Sequence, residues 1–200
     1  MIRNLFAAWI LVATVSAVSA QKPDASKPVE LKLEDQFEQT QSIAAQRGKV
    51  LILVYSDQKG VEACRDLGAK LHVAFHPTAA GQTPAKAQAA PVATLVGIPA
   101  GKTSPEVAVV PVACVGKVPG PIKAIIRTSI KKDAADTPVW LDFGTEMADR
   151  FGLRASEPNI AILDAQGRLR LKVNGTPDKS TLDKMLQVTQ NLRAEAAGLR

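Results

Sequence analysis

Three hydrophobic rhythms run along this chain, and each predicts a different element. GKVLILVYS, residues 48–56, is an almost unbroken apolar run with β-branched side chains, which predicts a strand covered on both faces at the centre of a parallel sheet. From Gly60 the period changes: Val61, Cys64, Leu67, Leu71 and Phe75 recur at helical spacing, and Pro77 supplies a stop. Cys64 therefore falls on the inward stripe of a helix. ELKLED, residues 30–35, alternates and predicts a short edge strand. VAVVPVACV, 107–115, reads as a strand that Pro111 assigns to an edge or a bulge. Next come a helix over PIKAIIRTSIKK (121–132), a strand in PVWLD (138–142) and a short helix in GTEMADRFGL (144–153). NIAILD and RLRLKV form a hairpin turning about Ala165-Gln166-Gly167, and a last helix runs from Pro177 to Ala197, with proline in its first turn. Residues 77–105 are rich in Ala, Pro, Gly and Thr and have no sustained period. Ordered connections usually take about 4–6 residues, so this stretch is an insertion or long loop after the first helix, either mobile or draped over the body. Strands alternating with helices, then a closing hairpin, predict an α/β sandwich.

The amino terminus changes the picture of where the chain works. Met1 to Ala20 carries one positive charge at Arg3, an apolar stretch from Leu5 to Val15 and the small residues Val18-Ser19-Ala20, the pattern of a secretory signal. The run is shorter than the ~20 apolar residues of a membrane span. Removing it leaves 200 − 20 = 180 residues with a formal charge of 6 − 1 = +5, expected in the periplasm or secreted, with no span in the mature chain. That length makes one domain with its own core, expected over 29–197 after a flexible lead-in at 21–28. The positive charge is spread out, densest at Lys131-Lys132, and only 4% of residues are aromatic. Neither a basic stripe nor a stacking platform is present, which argues against nucleic-acid binding.

Two longer stretches carry a resemblance. KLEDQFEQTQSIAAQRGKVLILVYSD is similar to the opening of thioredoxin-like redox proteins of the peroxiredoxin and periplasmic thiol-disulfide oxidoreductase type, and PVWLDFGTEMADRFGLRASEPNIAILDAQGRLRLKVNG resembles their later strand, short helix, proline and DxxG hairpin. The resemblance implies a thioredoxin-like three-layer sandwich around a central mixed sheet. It places Pro158 at the family's cis-proline, beside the reactive cysteine. It also exposes a departure: where those oxidoreductases carry Cys-x-x-Cys at the first helix, this chain has Val61-Glu62-Ala63-Cys64. Val61 occupies the place of the attacking cysteine, and equally that of the peroxiredoxin threonine.

Two readings of Cys64 stay open. A helix amino terminus and nearby Arg65 favour a thiolate, which would make Cys64 a one-cysteine nucleophile for a thiol oxidoreductase or peroxidase. Burial on the apolar stripe raises a thiol's pKa and makes it a small core residue. Cys114, the other cysteine, ends a strand expected to reach the same rim, as a resolving thiol or disulfide partner. His72 and His76 have ligand spacing, but two ligands are not a site; helix-end histidines, partly exposed, explain them, and no metal or cofactor is expected. GIPAGKT, 97–103, has the wrong glycine spacing for a phosphate loop and no helix after it. Asn174-Gly175-Thr176 is a formal glycosylation acceptor. Solvated charges around an amphipathic helix account for Asp57, Glu62 and Asp66. The expectation is an exported thioredoxin-like module that has lost its dithiol and binds an extended polypeptide or envelope protein. Ser56, Asp57, Gly60, Val61, Glu157 and Pro158 form the contact rim, holding the partner by backbone hydrogen bonds as in the family.

Overall fold

The computed structural model describes residues 26–199, so the secretory signal expected over 1–20 and the first part of the lead-in lie outside it. Seven strands form one sheet: β1 (Lys32–Asp35), β2 (Thr40–Ser42), β3 (Val50–Ser56), β4 (Val107–Cys114), β5 (Trp140–Asp142), β6 (Asn159–Leu163) and β7 (Leu169–Asn174), in the order β2-β1-β5-β4-β3-β6-β7. Five α-helices accompany them: α1 (Val61–Phe75), α2 (Pro84–Gln88), α3 (Gly120–Asp133), α4 (Glu146–Phe151) and α5 (Lys179–Ala196). β3 pairs parallel with β4, and β4 with β5, while the remaining neighbours are antiparallel, so the sheet is mixed.

The unbroken apolar run of β3 follows from its place, because every one of its residues is buried between β4 and β6 with a core on each face. Strand alternation splits the interior in two. Leu51, Leu53 and Tyr55 meet Val112, Trp140, the α4 residues Met147 and Phe151, and the amino-terminal Leu31, Leu33 and Ile43. Val50, Ile52 and Val54 face the α1 stripe Leu67, Leu71 and Phe75, together with Met185 and Leu192 of α5. Burial of each large side chain in that stripe is worth about 1.5–3 kcal/mol, and this keeps α1 flat on the sheet.

Three expectations need correction or sharpening. The 30–35 segment is not an edge: β1 sits between β2 and β5, and the edge is the three-residue β2, whose polar Thr-Gln-Ser carries no alternation to read. Pro111 is locally at an edge, because β5 pairs only with Val112–Cys114 and leaves Val107–Pro111 bonded to β3 alone. The 77–105 insert is draped and docked. The Ala93 amide donates to the Phe75 carbonyl at 2.7 Å, Val92 packs on the α1/α5 core, and the fully buried Arg193 of α5 donates to the Ala93 and Pro105 carbonyls at 2.5 and 3.0 Å. The insert lies where α1 ends and β4 begins, at the opposite end of the sheet from Cys64.

Candidate functional site

The parallel strands β3, β4 and β5 end together at Ser56, Cys114 and Asp142, and α1 starts on the same rim. Asp57 makes the turn into α1. Its carboxylate accepts the Lys59 and Gly60 amides at 3.0 and 3.2 Å, an Asx turn that an aspartate forms readily. It also accepts the Ser156 amide from across the rim, 3.1 Å from each oxygen. Gly60 is required by close approach: a Cβ there would stand 2.9 Å from the Ser56 Cβ and 3.1 Å from the Glu157 carbonyl oxygen. Val61, the first residue of α1, is exposed, and Glu62 pairs with Arg65 at 3.1 Å on the solvent side. Cys64 is partly buried against the α1/α5 core.

The other side of the rim is organised by Asn159, which the sequence reading passed over. Its Oδ1 accepts the Arg154 amide at 2.8 Å, and its Nδ2 donates to the carbonyls of Glu157, Arg154 and Tyr55 at 2.9, 3.0 and 3.3 Å. The only available signal was an asparagine opening an otherwise apolar strand. Ser156 adopts φ +65°, and the Pro158 carbonyl accepts the Gly175 amide at 2.8 Å. The cis peptide that the resemblance implied at Pro158 is not found: among the described residues no peptide bond is cis, and the 154–158 turn is held by its Ser156 amide donating to Asp57 and by donors from Asn159 and Gly175. Ser56, Asp57, Gly60, Glu157 and Pro158 are therefore brought together, Val61 stands at their outer margin, and Cys64 lies just inside.

The thiols occupy different environments. Burial pushes the Cys64 thiol up, the Ser56 hydroxyl and the backbone N–H of Asn159 pull it back in part, and the Asp57 charge pushes it up again. Cys114 is pushed up to about 12 by burial, with Asp142 and then Cys64 adding to the rise. Both cysteines are free. They also face opposite ways: Cys114 packs with the Tyr55 and Trp140 core and Cys64 with the α1/α5 core, on the two faces of the sheet. Next to Cys114, the buried Asp142 accepts the Gly144 and Met147 amides at 3.0 and 2.9 Å. Burial first, and then the adjacent Glu146 carboxyl, push Asp142 up to about 6 while Glu146 is lowered, so below that pH the proton the pair takes up goes mainly to Asp142. Tyr55 is raised by burial and donates to the Gly152 carbonyl at 2.8 Å.

The remaining candidates lie elsewhere. His76 is buried, contrary to the partly exposed reading, because the insert returns over the end of α1. Its Nδ1 is 3.1 Å from the His72 carbonyl and its Nε2 2.6 Å from Glu106, with the His72 ring stacked at 4.3 Å. Among the described residues no group of three His, Cys, Asp or Glu could hold a metal ion, and no helix is long and apolar enough to cross a membrane. Gly97 and Gly101 sit in turns of the insert. Asn174 ends β7, opposite Asn159.

No protein-family model and no curated protein matches the chain. Solved structures do. The chain is similar to the solution structure of a candidate protein disulfide isomerase from Bacteroides thetaiotaomicron, with TM-score 0.51, 12% identity, and 83% of this chain and 87% of that one covered. It is also similar to the crystal structure of a secreted thiol-disulfide isomerase from Corynebacterium glutamicum, with TM-score 0.50, 16% identity, and 92% and 97% covered. The seven-stranded mixed sheet, the helix that starts at its carboxyl rim and these two likenesses together give the chain a thioredoxin-like fold.

Proposed function

We propose that this chain is an exported thioredoxin-fold protein that works as a binding or accessory module and performs no thiol exchange at neutral pH. The observation that carries the reading is the start of α1: a valine that cannot attack a disulfide, three residues before a thiol that is partly buried and raised in pKa. Export is supported by the pattern of residues 1–20. The rim from Ser56 to Cys64, with Glu157 and Pro158, is the contact surface, and its partner is an extended polypeptide, such as a segment of an envelope protein.

One observation favours a second reading. The Ser56 hydroxyl and the backbone N–H of Asn159 offset part of the rise in the Cys64 pKa, the direction that a one-cysteine oxidoreductase or peroxidase needs. Cys64 alkylation measured against pH in the purified mature protein separates the two. The binding-module reading expects a rate still climbing past pH 8.5, the ordinary thiol value, with no turnover of peroxide or disulfide. It also expects Cys64→Ser to leave binding of a reduced, carboxymethylated unfolded polypeptide unchanged. A plateau well below pH 8.5, with turnover lost in Cys64→Ser, overturns it in favour of the enzyme.

A further inference from the structure

Five main-chain groups of the 154–158 turn are already bonded within the chain. The Ser156 amide goes to Asp57, the Arg154 amide and carbonyl and the Glu157 carbonyl go to Asn159, and the Pro158 carbonyl goes to Gly175. An incoming strand held by main-chain bonds needs such groups unpaired. The closure is also steric. Gly60 lies so close to Ser56 and the Glu157 carbonyl that no side chain fits between them. Cys64 follows Gly60 by one helical turn; the Ser56 hydroxyl, whose Cβ is part of that contact, and the backbone N–H of Asn159, whose side chain holds the Glu157 carbonyl, both act on its thiol.

Asp57 is the one side chain that spans the gap. It caps its own turn through Lys59 and Gly60, and the same carboxylate takes the Ser156 amide with both oxygens. A charged acceptor on several amides makes a strong anchor. At the other end of the bond Ser156 sits at φ +65°, a backbone region that serine enters rarely and that its surroundings must hold. We propose that the Asp57–Ser156 clasp is an autoinhibitory latch that keeps the rim closed over Cys64 and occupies the amide an extended polypeptide would pair with. The polypeptide half of this inference rests on the contact surface proposed above, whereas the closure over Cys64 does not. Opening exchanges one acceptor for another at Ser156, carboxylate for ligand carbonyl, and frees the turn to move off Gly60. The Asp57 charge adds to the effect, since it disfavours a Cys64 thiolate while the latch is closed.

Asp57→Ser tests the latch, because a serine hydroxyl still caps the turn into α1 but is too short to reach Ser156. Asp57→Asn is the second variant: it keeps the length and one capping oxygen but offers Ser156 only half of the original acceptor. Iodoacetamide labelling at pH 8, resolved by peptide mass spectrometry, follows Cys64 and Cys114 separately in one sample. The latch predicts labelling of Cys64 faster by about tenfold in Asp57→Ser, with a smaller rise in Asp57→Asn, faster hydrogen exchange at the Ser156 amide and an unchanged Cys114 rate. Unchanged Cys64 labelling in both variants overturns it, and so does an equal rise in both with unchanged exchange at the Ser156 amide, which loss of the Asp57 charge alone would give. So does a parallel rise at both cysteines, which would mean general loosening. Binding of the carboxymethylated polypeptide, expected to tighten several-fold in Asp57→Ser, reads the partner separately. If labelling rises and neither protein binds it, the closure over Cys64 stands and the polypeptide contact falls.

Discussion

Asp142 and Glu146 pose a problem that two residues alone can state: two carboxyls at one site, one of them 2% exposed, that compete for one proton below about pH 6. Asp142 is raised from 3.8 to about 6 in the folded chain. Between those values the native state keeps a proton that the unfolded chain has released, so stability falls as pH rises through this window and stays lower above it. Burial is the larger cause of the rise and stays in any variant, so removing the like charge should lift only the part that Glu146 adds. Glu146→Gln also offers an amide N–H to the Asp142 carboxylate, while the small stabilisation from the lowered Glu146 carboxyl is lost, so the variant should gain up to about 1 kcal/mol in urea unfolding at pH 7.5, with a flatter slope between pH 4 and pH 6. Parallel pH profiles for the two proteins would show that no proton is shared. None of this was legible in the sequence, where Asp142 is only the last residue of a strand and Glu146 one of several helix-start acids. Cys64 is the contrasting case. Its inward setting could be read, because a helical period assigns a face without any knowledge of the neighbours. Asn159 could not, since its bonds join Tyr55, Arg154 and Glu157 across a fold that the local pattern does not specify.

At the scale of elements the same division holds. Segments with a strong period, β3, α1, β6 and β7 with their turn, and α5, emerge within a few residues of the expected bounds. α5 starts at Lys179 and not at Pro177 because Asp178 caps it, accepting the Thr181 amide at 2.7 Å. β2 and α2 have three and five residues and no apolar repeat, so only tertiary contacts define them. The insert shows how this matters for stability. Its composition suggests slack chain, yet Arg193 at 0% exposure holds two of its carbonyls and shares a third bond with Gln190 at 2.9 Å. Arg193→Ala would leave those partly buried carbonyls without their donor and empty the space of a fully buried side chain, at a cost of about 1–3 kcal/mol. Equilibrium denaturation measures the loss, and faster tryptic cleavage at Lys86 and Lys102 reports the insert coming free. If cleavage and stability were both unchanged, the docking would be of no energetic consequence. Because Val92 also covers the α1/α5 core, removing 77–105 outright should impair folding as well as any association.

For the molecule as a whole, the decisive fact about the two cysteines is which side of the sheet each one serves. Their shared rim invites a bridge, and export to an oxidising compartment would permit one. The alternation of β4 opposes it: Ala108, Val110, Val112 and Cys114 point into the Tyr55 and Trp140 core, while Val107 and Val109 point with Cys64 toward α1 and α5. A disulfide needs Cβ atoms ~3.8 Å apart, so one thiol would have to come round the end of the sheet. That end is pinned, because the Val115 and Gly116 amides both donate to the Asp142 carbonyl, at 2.9 and 3.0 Å. Peeling β4 away would sacrifice both bonds and unpack Cys114 from Tyr55. Diamide treatment of the folded mature protein should therefore leave both thiols unbridged within the chain, and a thiol titration after denaturation should still count two per molecule. Rapid formation of an intramolecular Cys64–Cys114 disulfide under native conditions would mean that the rim moves far more than its hydrogen bonds allow, and it would restore a working dithiol to a scaffold whose first helix begins with valine.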